Sequence, residues 1–444
     1  MFNQKLDSNG ELTSDECQVL QRVYSTWSSF YDETNGNQSQ SEIPTYNVNA
    51  HNSAFPYWLE AMEIDPDFPD EGIPLLHADT HTDLSHVHMY PTDRRFRQIP
   101  FVEFSNILRH LINNRPEVRS ERGVARIKRE MVSMVKEIQQ RVNRERSSDR
   151  DSRRTFTQIN DSFVRDLENW INSPSTSVEN IRSTFLQASR RSIHHIAQPV
   201  TGAVAAGITS DVLMVLPPWS RRIARTDSAD QPRNPWQVDL AHRVDAYEGG
   251  VIQNTIQDVT TTGPSAPLLS KQSDDQPIQS YNLQAINLTN PKGSGAPLRG
   301  FHHYLPSSTR DTGFILDIDL DAFVSNGRLR DLIEPLSWGR EYSISGHETT
   351  NEGDLRAGLA AQEMDLIKMR INSFFRRLQE AKTEGMCPAI ITIADSTQLT
   401  RAIRGEDDDF TGGNFTPACL AFLVNYMVRE KIEEVYGSGE GCRN

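Results

Sequence analysis

Residues 313–321 have the sequence Gly-Phe-Ile-Leu-Asp-Ile-Asp-Leu-Asp, an apolar run that ends in three carboxylates. A short apolar run of this kind predicts a buried strand. The same pattern occurs at residues 73–83 (Ile-Pro-Leu-Leu-His-Ala-Asp-Thr-His-Thr-Asp) and 389–396 (Ala-Ile-Ile-Thr-Ile-Ala-Asp-Ser). Segments with helical periodicity separate these runs, which favours an α/β fold with a mostly parallel sheet. We therefore expect a functional site at the carboxyl ends of the strands.

Further elements follow from the same patterns. Residues 211–216 predict another strand, which Pro217-Pro218 ends. Apolar residues at helical spacing from Val124 to Val142 predict an amphipathic helix, and residues 354–382 predict a longer one. Thr416-Pro417 is typical of a helix start, and this last helix is predicted to end near Tyr436. A capping box at residues 13–16 predicts a helix through about residue 31.

We interpret residues 1–444 as a single catalytic domain with two additions. Residues from about 115 to 190 are predicted to form a helical insertion. Residues from about 220 to 300 are rich in Ser, Pro, Asp, Gln and Gly and predict a long polar loop region, with one strand near Tyr281–Thr289. A loop of this length is either functional or partly disordered.

Composition excludes some classes of function. The formal net charge of the chain is −14, whereas a protein that binds nucleic acid is expected to carry a basic surplus. The chain has no uninterrupted apolar run long enough for a membrane span and no apolar secretion signal at its start. The four cysteines are far apart and form no Cys-x-x-Cys pair, so we expect reduced thiols and a cytoplasmic protein: Cys17, Cys387, Cys419 and Cys442.

Two acidic motifs predict a metal site. Asp79, His81 and Asp83 alternate along the chain, and on an extended strand their side chains would point the same way. Asp317 and Asp319 repeat this spacing, with Asp321 either a third member or a partner of backbone amides or a helix N-terminus. Crowded carboxylates repel each other unless a cation binds them. Such a mixture of oxygen and imidazole ligands suits manganese, with iron or zinc as alternatives, and can bridge two ions.

The motifs at residues 77–83 and 316–319 resemble the metal-binding strand ends of the ureohydrolases, the arginase-like manganese enzymes. A closer resemblance is to the UPF0489 family, which includes bacterial peptide arginases. It is carried by residues 51–58, 77–84, 202–219, 315–323 and 391–397, scattered over most of the chain. The resemblance implies an arginase-like three-layer α/β/α fold. It also implies that the protein converts arginine side chains of a ribosomally made precursor peptide to ornithine, releasing urea.

The resemblance also assigns metal ligands. Two Mn²⁺ ions would be bound, with a hydroxide between them that attacks the guanidinium carbon. One ion would be held by His51, Asp79, Asp83 and Asp317. The other would be held by Asp79, His81, Asp317 and Asp319. Asp79 and Asp317 would bridge the ions, and Asp83 would also accept a hydrogen bond from the hydroxide.

Two segments depart from the arginase pattern. Asp321 is followed by Ala322-Phe323, where arginases have an Asp-Pro. Residues 84–89 do not resemble the arginase loop that recognises the α-carboxylate of free arginine. The second departure favours an arginine-containing peptide over free arginine as the substrate.

Further catalytic candidates come from the residues themselves. His88 is a candidate proton donor to the departing amine, as are His86, His302, His303 and His347. Asp395, at the end of a predicted strand, can either pair with the substrate guanidinium or cap a helix. Alternative functions are hydrolysis of a small guanidino or amide compound at the same site, and metal-stabilised binding without turnover.

Overall fold

A computed structural model gives the arrangement of much of the chain. It describes residues 43–48, 51–64, 68–69, 72–81, 87–88, 90–91, 93–113, 120–148, 158–193, 198–217, 241–248, 251–258, 279–289, 298–324, 352–396, 416, 418–437 and 442.

The described strands form one nine-stranded sheet. In chain order the strands are β1 (Thr45–Val48), β2 (Leu75–Ala78), β3 (Val87–His88), β4 (Asp211–Leu216), β5 (Ala241–Glu248), β6 (Val251–Asp258), β7 (Gln279–Asn287), β8 (Phe314–Asp319) and β9 (Pro388–Ala394). Their order across the sheet is β1-β9-β8-β2-β4-β7-β5-β6-β3. The strands from β1 to β7 in this order are parallel, and β5, β6 and β3 extend the sheet in antiparallel fashion. The predicted mostly parallel sheet is confirmed.

Helices cover both faces of the sheet. They are α1 (Phe55–Ile64), α2 (Phe101–Asn113), α3 (Glu121–Ser148), α4 (Asp161–Asn172), α5 (Val178–Ser192), α6 (Pro199–Ala205), α7 (Thr309–Thr312), α8 (Glu352–Thr383) and α9 (Ala418–Tyr436). Along β8 successive side chains enter different cores: Ile315 packs with helices α1 to α6, whereas Leu316 and Ile318 pack with α8 and α9. Side chains alternate between the faces of a strand, so a strand buried on both sides is mostly apolar, and the polar exceptions in β8 are Asp317 and Asp319 near its carboxyl end.

Several sequence predictions are confirmed element by element. The strand predicted at residues 211–216 has those bounds, and helices α3, α8 and α9 occupy the segments predicted to be helical. Helices α3 to α5 occupy the segment at about residues 115–190, and its assignment as an insertion stays a prediction. The helix predicted at about residues 13–31 lies outside the described residues.

The strand predicted near Tyr281–Thr289 is confirmed as β7, but the rest of the region at about residues 220–300, predicted to be a long polar loop, contains two further strands, β5 and β6. Strands β5 and β6 pair antiparallel, and the sequence between them is Gly249-Gly250. A Gly-Gly pair between two strand-forming segments is typical of a tight hairpin. The polar composition hid this signal, because antiparallel strands, unlike central parallel ones, do not have to be apolar throughout.

The expectation that all cysteines are reduced is wrong. Cys387, just before β9, forms a disulfide with Cys442, and their Cα atoms are 5.6 Å apart. The pair is separated by 55 positions in the sequence. Helix α9 intervenes and returns the chain to the start of β9, so the pairing depends on tertiary packing. None of the described helices combines the length and apolar character needed to cross a lipid bilayer.

Candidate metal centre

A cluster of imidazoles and carboxylates lies where β2 and β8 end. Its members are His51, His77, Asp79, His81, Asp317, Asp319 and Asp321. All of them except His81 are almost completely buried. Strands β2 and β8 are parallel neighbours, so their carboxyl ends meet at one edge of the sheet. The structure therefore brings together five of the six predicted metal ligands and adds His77 and Asp321.

His51 reaches the cluster from a short 3-10 turn, His51–Ser53, between β1 and α1. Its Nε2 atom lies 2.5 Å from Asp317 Oδ2, and its Nδ1 atom lies 3.2 Å from Asp79 Oδ2. The edge of its ring faces Trp58 on α1. The imidazole thus joins the motif of β2 to the motif of β8.

His77 lies on β2 directly opposite Asp317 on β8. Its Nδ1 atom is 2.7 Å from Asp317 Oδ2, and its Nε2 atom is 3.4 Å from Asp79 Oδ2. The rings of His51 and His77 stack 5.0 Å apart at an angle of 11°. His77 is not among the ligands predicted from the sequence. Its spacing of two positions from Asp79 was the available signal, since alternate residues share one face of a strand.

Asp317 is held by side chains from the neighbouring elements. The hydroxyl of Thr392, its register partner on β9, donates to Asp317 Oδ1 at 2.6 Å. The indole of Trp58 donates to the same hydroxyl at 3.0 Å. Both carboxylate oxygens of Asp317 are therefore engaged by groups of the protein, Oδ1 by Thr392 and Oδ2 by the two imidazoles.

Asp79, His81 and Asp321 form the outer part of the cluster. Strand β2 ends at Ala78, and the backbone amide of His81 then donates to Asp79 Oδ1 at 2.7 Å. A turn, rather than strand alternation, therefore brings these two side chains together. His81 Nδ1 lies 3.2 Å from Asp79 Oδ1 and 3.1 Å from Asp321 Oδ2. Asp321 Oδ1 accepts the backbone amide of Thr80 at 2.9 Å, which agrees with the backbone alternative for this carboxylate.

Asp319 lies between the two halves of the cluster. Its Oδ2 atom accepts a hydrogen bond from the Ser396 hydroxyl and lies 3.6 Å from His51 Nδ1. Its Oδ1 atom accepts the backbone amide of Asp321 at 3.2 Å, which starts the 3-10 turn after β8.

The four carboxyl groups of the cluster are of two kinds: the pKa of Asp79 and Asp317 is lowered, and the pKa of Asp319 and Asp321 is raised. Burial would raise the pKa of Asp317, but His51 and His77 hold it at about 2. Asp79 behaves similarly, since burial acts to raise its pKa whereas the surrounding imidazoles keep it well below its ordinary value. Burial raises the pKa of Asp319 well above its ordinary value, and the charges of Asp321 and Asp79 add to this. Burial and the adjacent Asp79 raise the pKa of Asp321 to about 7.

The imidazoles respond to the same carboxylates. Burial by itself would lower the pKa of His77, but the hydrogen bond with Asp317 and the nearby carboxylate of Asp79 raise it to about 9. Burial would likewise lower the pKa of His81, whereas Asp321 and Asp79 raise it well above its ordinary value. A divalent ion would compete with protons for these groups, because ligands bind metals in their deprotonated forms.

Two groups of side chains within the cluster can each hold a metal ion: His51, His77 and Asp79, and Asp79, His81 and Asp321. The donor atoms within each group lie within 4.8 Å of one another. The cluster contains buried atoms with no hydrogen-bond partner among the described residues, including His77 Nε2, Asp79 Oδ2 and Asp321 Oδ2. Buried polar groups are normally satisfied, so atoms of this kind that converge on one region suit a bound cation.

The remaining predicted site residues have different positions. Asp83 lies outside the described residues. His88 is in β3, which pairs with β6, and its side chain lies outside the description. Asp395 follows β9 at the same edge of the sheet, and its Oδ1 atom accepts a hydrogen bond from Asn425 Nδ2 on α9 at 2.8 Å. Its predicted role toward the guanidinium stays a prediction.

With the site described, the chain can be set beside known proteins. No protein-family model matches this sequence, and no curated protein matches it at a significant level of similarity.

Proposed function

We propose that the protein is a metal-dependent hydrolase that converts arginine side chains in a peptide to ornithine and releases urea. The observation that carries this proposal is the convergence of two sequence-distant motifs in one buried cluster. His51, Asp79, His81, Asp317 and Asp319 are the residues that the arginase resemblance selects, and they meet at the carboxyl ends of β2 and β8. The sixth residue of the set, Asp83, lies outside the described residues.

The chain's own residues have separate tasks in this proposal. The cluster holds two divalent ions, which we assign as Mn²⁺; when bound, such ions make water a nucleophile near neutral pH. Guanidinium is stabilised by resonance and reacts poorly, so its position relative to the nucleophile matters. Asp395 is assigned to binding of the guanidinium, because a buried cation needs an anionic partner. His88 is assigned to proton donation to the departing amine, and Asp83 to a hydrogen bond that orients the nucleophile.

A peptide is the proposed substrate because residues 84–89 lack the loop with which arginases recognise free arginine. Part of this segment is β3, which pairs with β6 of the polar region. The chain that leaves the metal centre is thereby joined to the hairpin of β5 and β6. This connection makes the polar region at about residues 220–300 the candidate surface for holding a peptide.

The test is to incubate the manganese-loaded chain with a panel of arginine-containing peptides. Mass spectrometry should detect conversion of arginine to ornithine, and a colorimetric assay should detect urea. Chelator-treated protein should be inactive, and the exposed variant Asp311→Asn should behave like the wild type. Absence of urea with every peptide and with free arginine would reject guanidinium hydrolysis.

Comparison with free arginine tests the peptide assignment separately. We expect a larger kcat/KM for a suitable peptide than for free arginine. A larger value for free arginine or another small guanidino compound would support the alternative substrate class at the same centre. Metal binding without any turnover would instead indicate a metal-stabilised binding protein.

A further inference from the structure

His77 is one of two members of the cluster, with Asp321, that have no assigned task. Its imidazole is completely buried, and its Nδ1 atom lies 2.7 Å from Asp317 Oδ2. Its Nε2 atom points toward Asp79 Oδ2 at 3.4 Å, and neither atom has a hydrogen-bond partner among the described residues. In the tautomer that carries its proton on Nδ1, facing Asp317, the lone pair of His77 Nε2 and the oxygen of Asp79 are both open to a third group.

His51 and His77 are arranged in the same way around two carboxylates. Each imidazole places one nitrogen against Asp317 Oδ2 and the other toward Asp79 Oδ2. Their rings are stacked nearly parallel. Histidines that bind metals usually donate the second ring N–H to a carboxylate behind them, which sets the tautomer and the direction of the ring. Asp317 occupies that position for both rings.

A structural ion pair is the simpler explanation, in which His77 only neutralises Asp317 and Asp79. It explains the contact with Asp317, which has hydrogen-bond geometry. It does not explain the contact with Asp79, where the geometry of a hydrogen bond is absent and an oxygen stays unsatisfied in a fully buried site. Leaving such groups unsatisfied is unfavourable, and a cation among them removes the penalty.

We propose that His51, His77 and Asp79 bind one divalent ion, and that Asp317 orients the two imidazoles from behind instead of bridging two ions. This inference rests on the proposed metal dependence, and it replaces the ligand assignment that the arginase resemblance implies. Asp79, His81 and Asp321 form the neighbouring position, so that Asp79 is shared. The first position has two nitrogen ligands and one oxygen ligand, whereas the second has one nitrogen and two oxygens. The two positions should therefore prefer different metals.

Pulsed electron paramagnetic resonance on the full-length chain loaded with Cu²⁺ or Mn²⁺ tests the ligand set. We expect nitrogen couplings from two imidazoles at the tightly bound ion in the wild type. His77→Gln should remove one of these couplings and weaken that ion's binding by at least about tenfold. His303→Gln, an exposed histidine elsewhere, is the matched control and should change neither.

Asp317→Asn separates an orienting role from a bridging one. If Asp317 orients the imidazoles, elemental analysis should find the wild-type number of ions, bound roughly 10- to 100-fold more weakly. Loss of both ions from this variant would show that Asp317 bridges them and would overturn this part of the proposal. Circular dichroism in chelator verifies that each variant is folded before metal is added.

If His77→Gln does not fold, the spectrum of the wild type still tests the proposed ligand set. A single-imidazole signal at every bound ion of the wild type would overturn the proposal, as would unchanged couplings in a folded His77→Gln variant. The urea assay is independent of these results. Normal two-imidazole couplings without urea production would reject the proposed reaction and leave the metal position intact.

Discussion

Asp395 is attached both to α9 and to the turn that follows β9. It is half-buried, and its carboxylate accepts a hydrogen bond from Asn425 on α9, while its backbone amide donates to Val48 of β1. The next residue, Ser396, has a positive φ of 44° and donates to Asp319 of the metal centre. Asp395 is thus attached to the same backbone turn that supports a predicted ligand.

We expect Asp395→Asn to retain the fold and metal binding but to lose most activity. Removal of one charge-assisted pair with the guanidinium should lower kcat/KM by a factor of about 10 to 100, or roughly 1.5–3 kcal/mol. Steady-state kinetics with a reactive peptide would measure this change. Asn425→Ala, which removes the structural partner only, should reduce kcat/KM less. Wild-type kinetics for Asp395→Asn would assign the residue to capping.

The same residue predicts a pH dependence of stability. Burial raises the pKa of Asp395, against the hydrogen bond from Asn425. For a carboxyl group whose pKa is raised by folding, the stabilising contribution is present below its unfolded pKa and lost as the pH rises through the folded value. Asp395→Asn should therefore raise the melting temperature at neutral pH, and this gain should vanish below about pH 3.9. Equal melting temperatures at pH 7 would contradict the prediction.

Thr392 lies in a buried chain of hydrogen bonds from Trp58 to Asp317. We expect Thr392→Val, which conserves side-chain volume, to destabilise the metal-free protein by about 1–3 kcal/mol. The reason is that it leaves the Trp58 indole N–H and one oxygen of Asp317 unsatisfied. Urea-induced unfolding would measure the loss. Thr383→Val, at an exposed position of α8, should change stability by less than about 0.5 kcal/mol.

At the level of secondary-structure elements, polar side chains of α8 bind the segments that pack against this helix. Arg377 donates to the backbone carbonyls of Arg299 and Asn287, and its guanidinium lies 4.2 Å from the centre of the Phe301 ring. Lys382 donates to the carbonyl of Val435 at 2.7 Å, close to the end of α9. A cation at a helix C-terminus interacts favourably with the helix dipole. The packing of α9 on α8 therefore depends on charge as well as apolar contact.

Lys382→Met should lower the free energy of unfolding by about 1.5–3 kcal/mol, because a buried hydrogen bond from a charged donor is lost. The midpoint of urea unfolding would report this change. Lys431→Met provides a matched control, since Lys431 makes a more exposed ion pair with Glu434 on α9. Pairs of that kind contribute about 0–1 kcal/mol. Equal effects of the two variants would show that the Val435 contact contributes no more than a surface pair.

At the scale of the whole molecule, the Cys387–Cys442 disulfide connects the start of β9 with the segment beyond α9. Closure of a loop with this 55-residue separation should stabilise the fold by about 4 kcal/mol in the chain-entropy model. Cys442→Ser or treatment with a thiol reductant should therefore lower stability to the same level. Thermal unfolding would measure the loss, and reductant should have no further effect on Cys442→Ser. Thiol labelling of Cys387 in the untreated folded chain would contradict the pairing.

The sequence by itself determined the class of fold and the main members of the candidate site. Short apolar runs ending in acids, such as residues 313–321, have few structural solutions other than buried parallel strands, because both faces must be covered. Parallel strands then bring their carboxyl ends to one edge, so Asp79 and Asp317 could be expected to meet. The order of apolar and acidic residues within each short segment is therefore enough to predict this arrangement.

Only the tertiary structure decided which side chains face each other. The register of β2 against β8 places His77 opposite Asp317, and no local pattern specifies a register between strands far apart in sequence. The turn after Ala78 brings His81 to Asp79 and Asp321, whereas an extended chain would have aligned Asp79 with Asp83. The Cys387–Cys442 pairing likewise depends on the path of α9. These contacts join residues that are far apart in the sequence. They are set by how the strands and helices pack, which the local composition and spacing of residues do not specify.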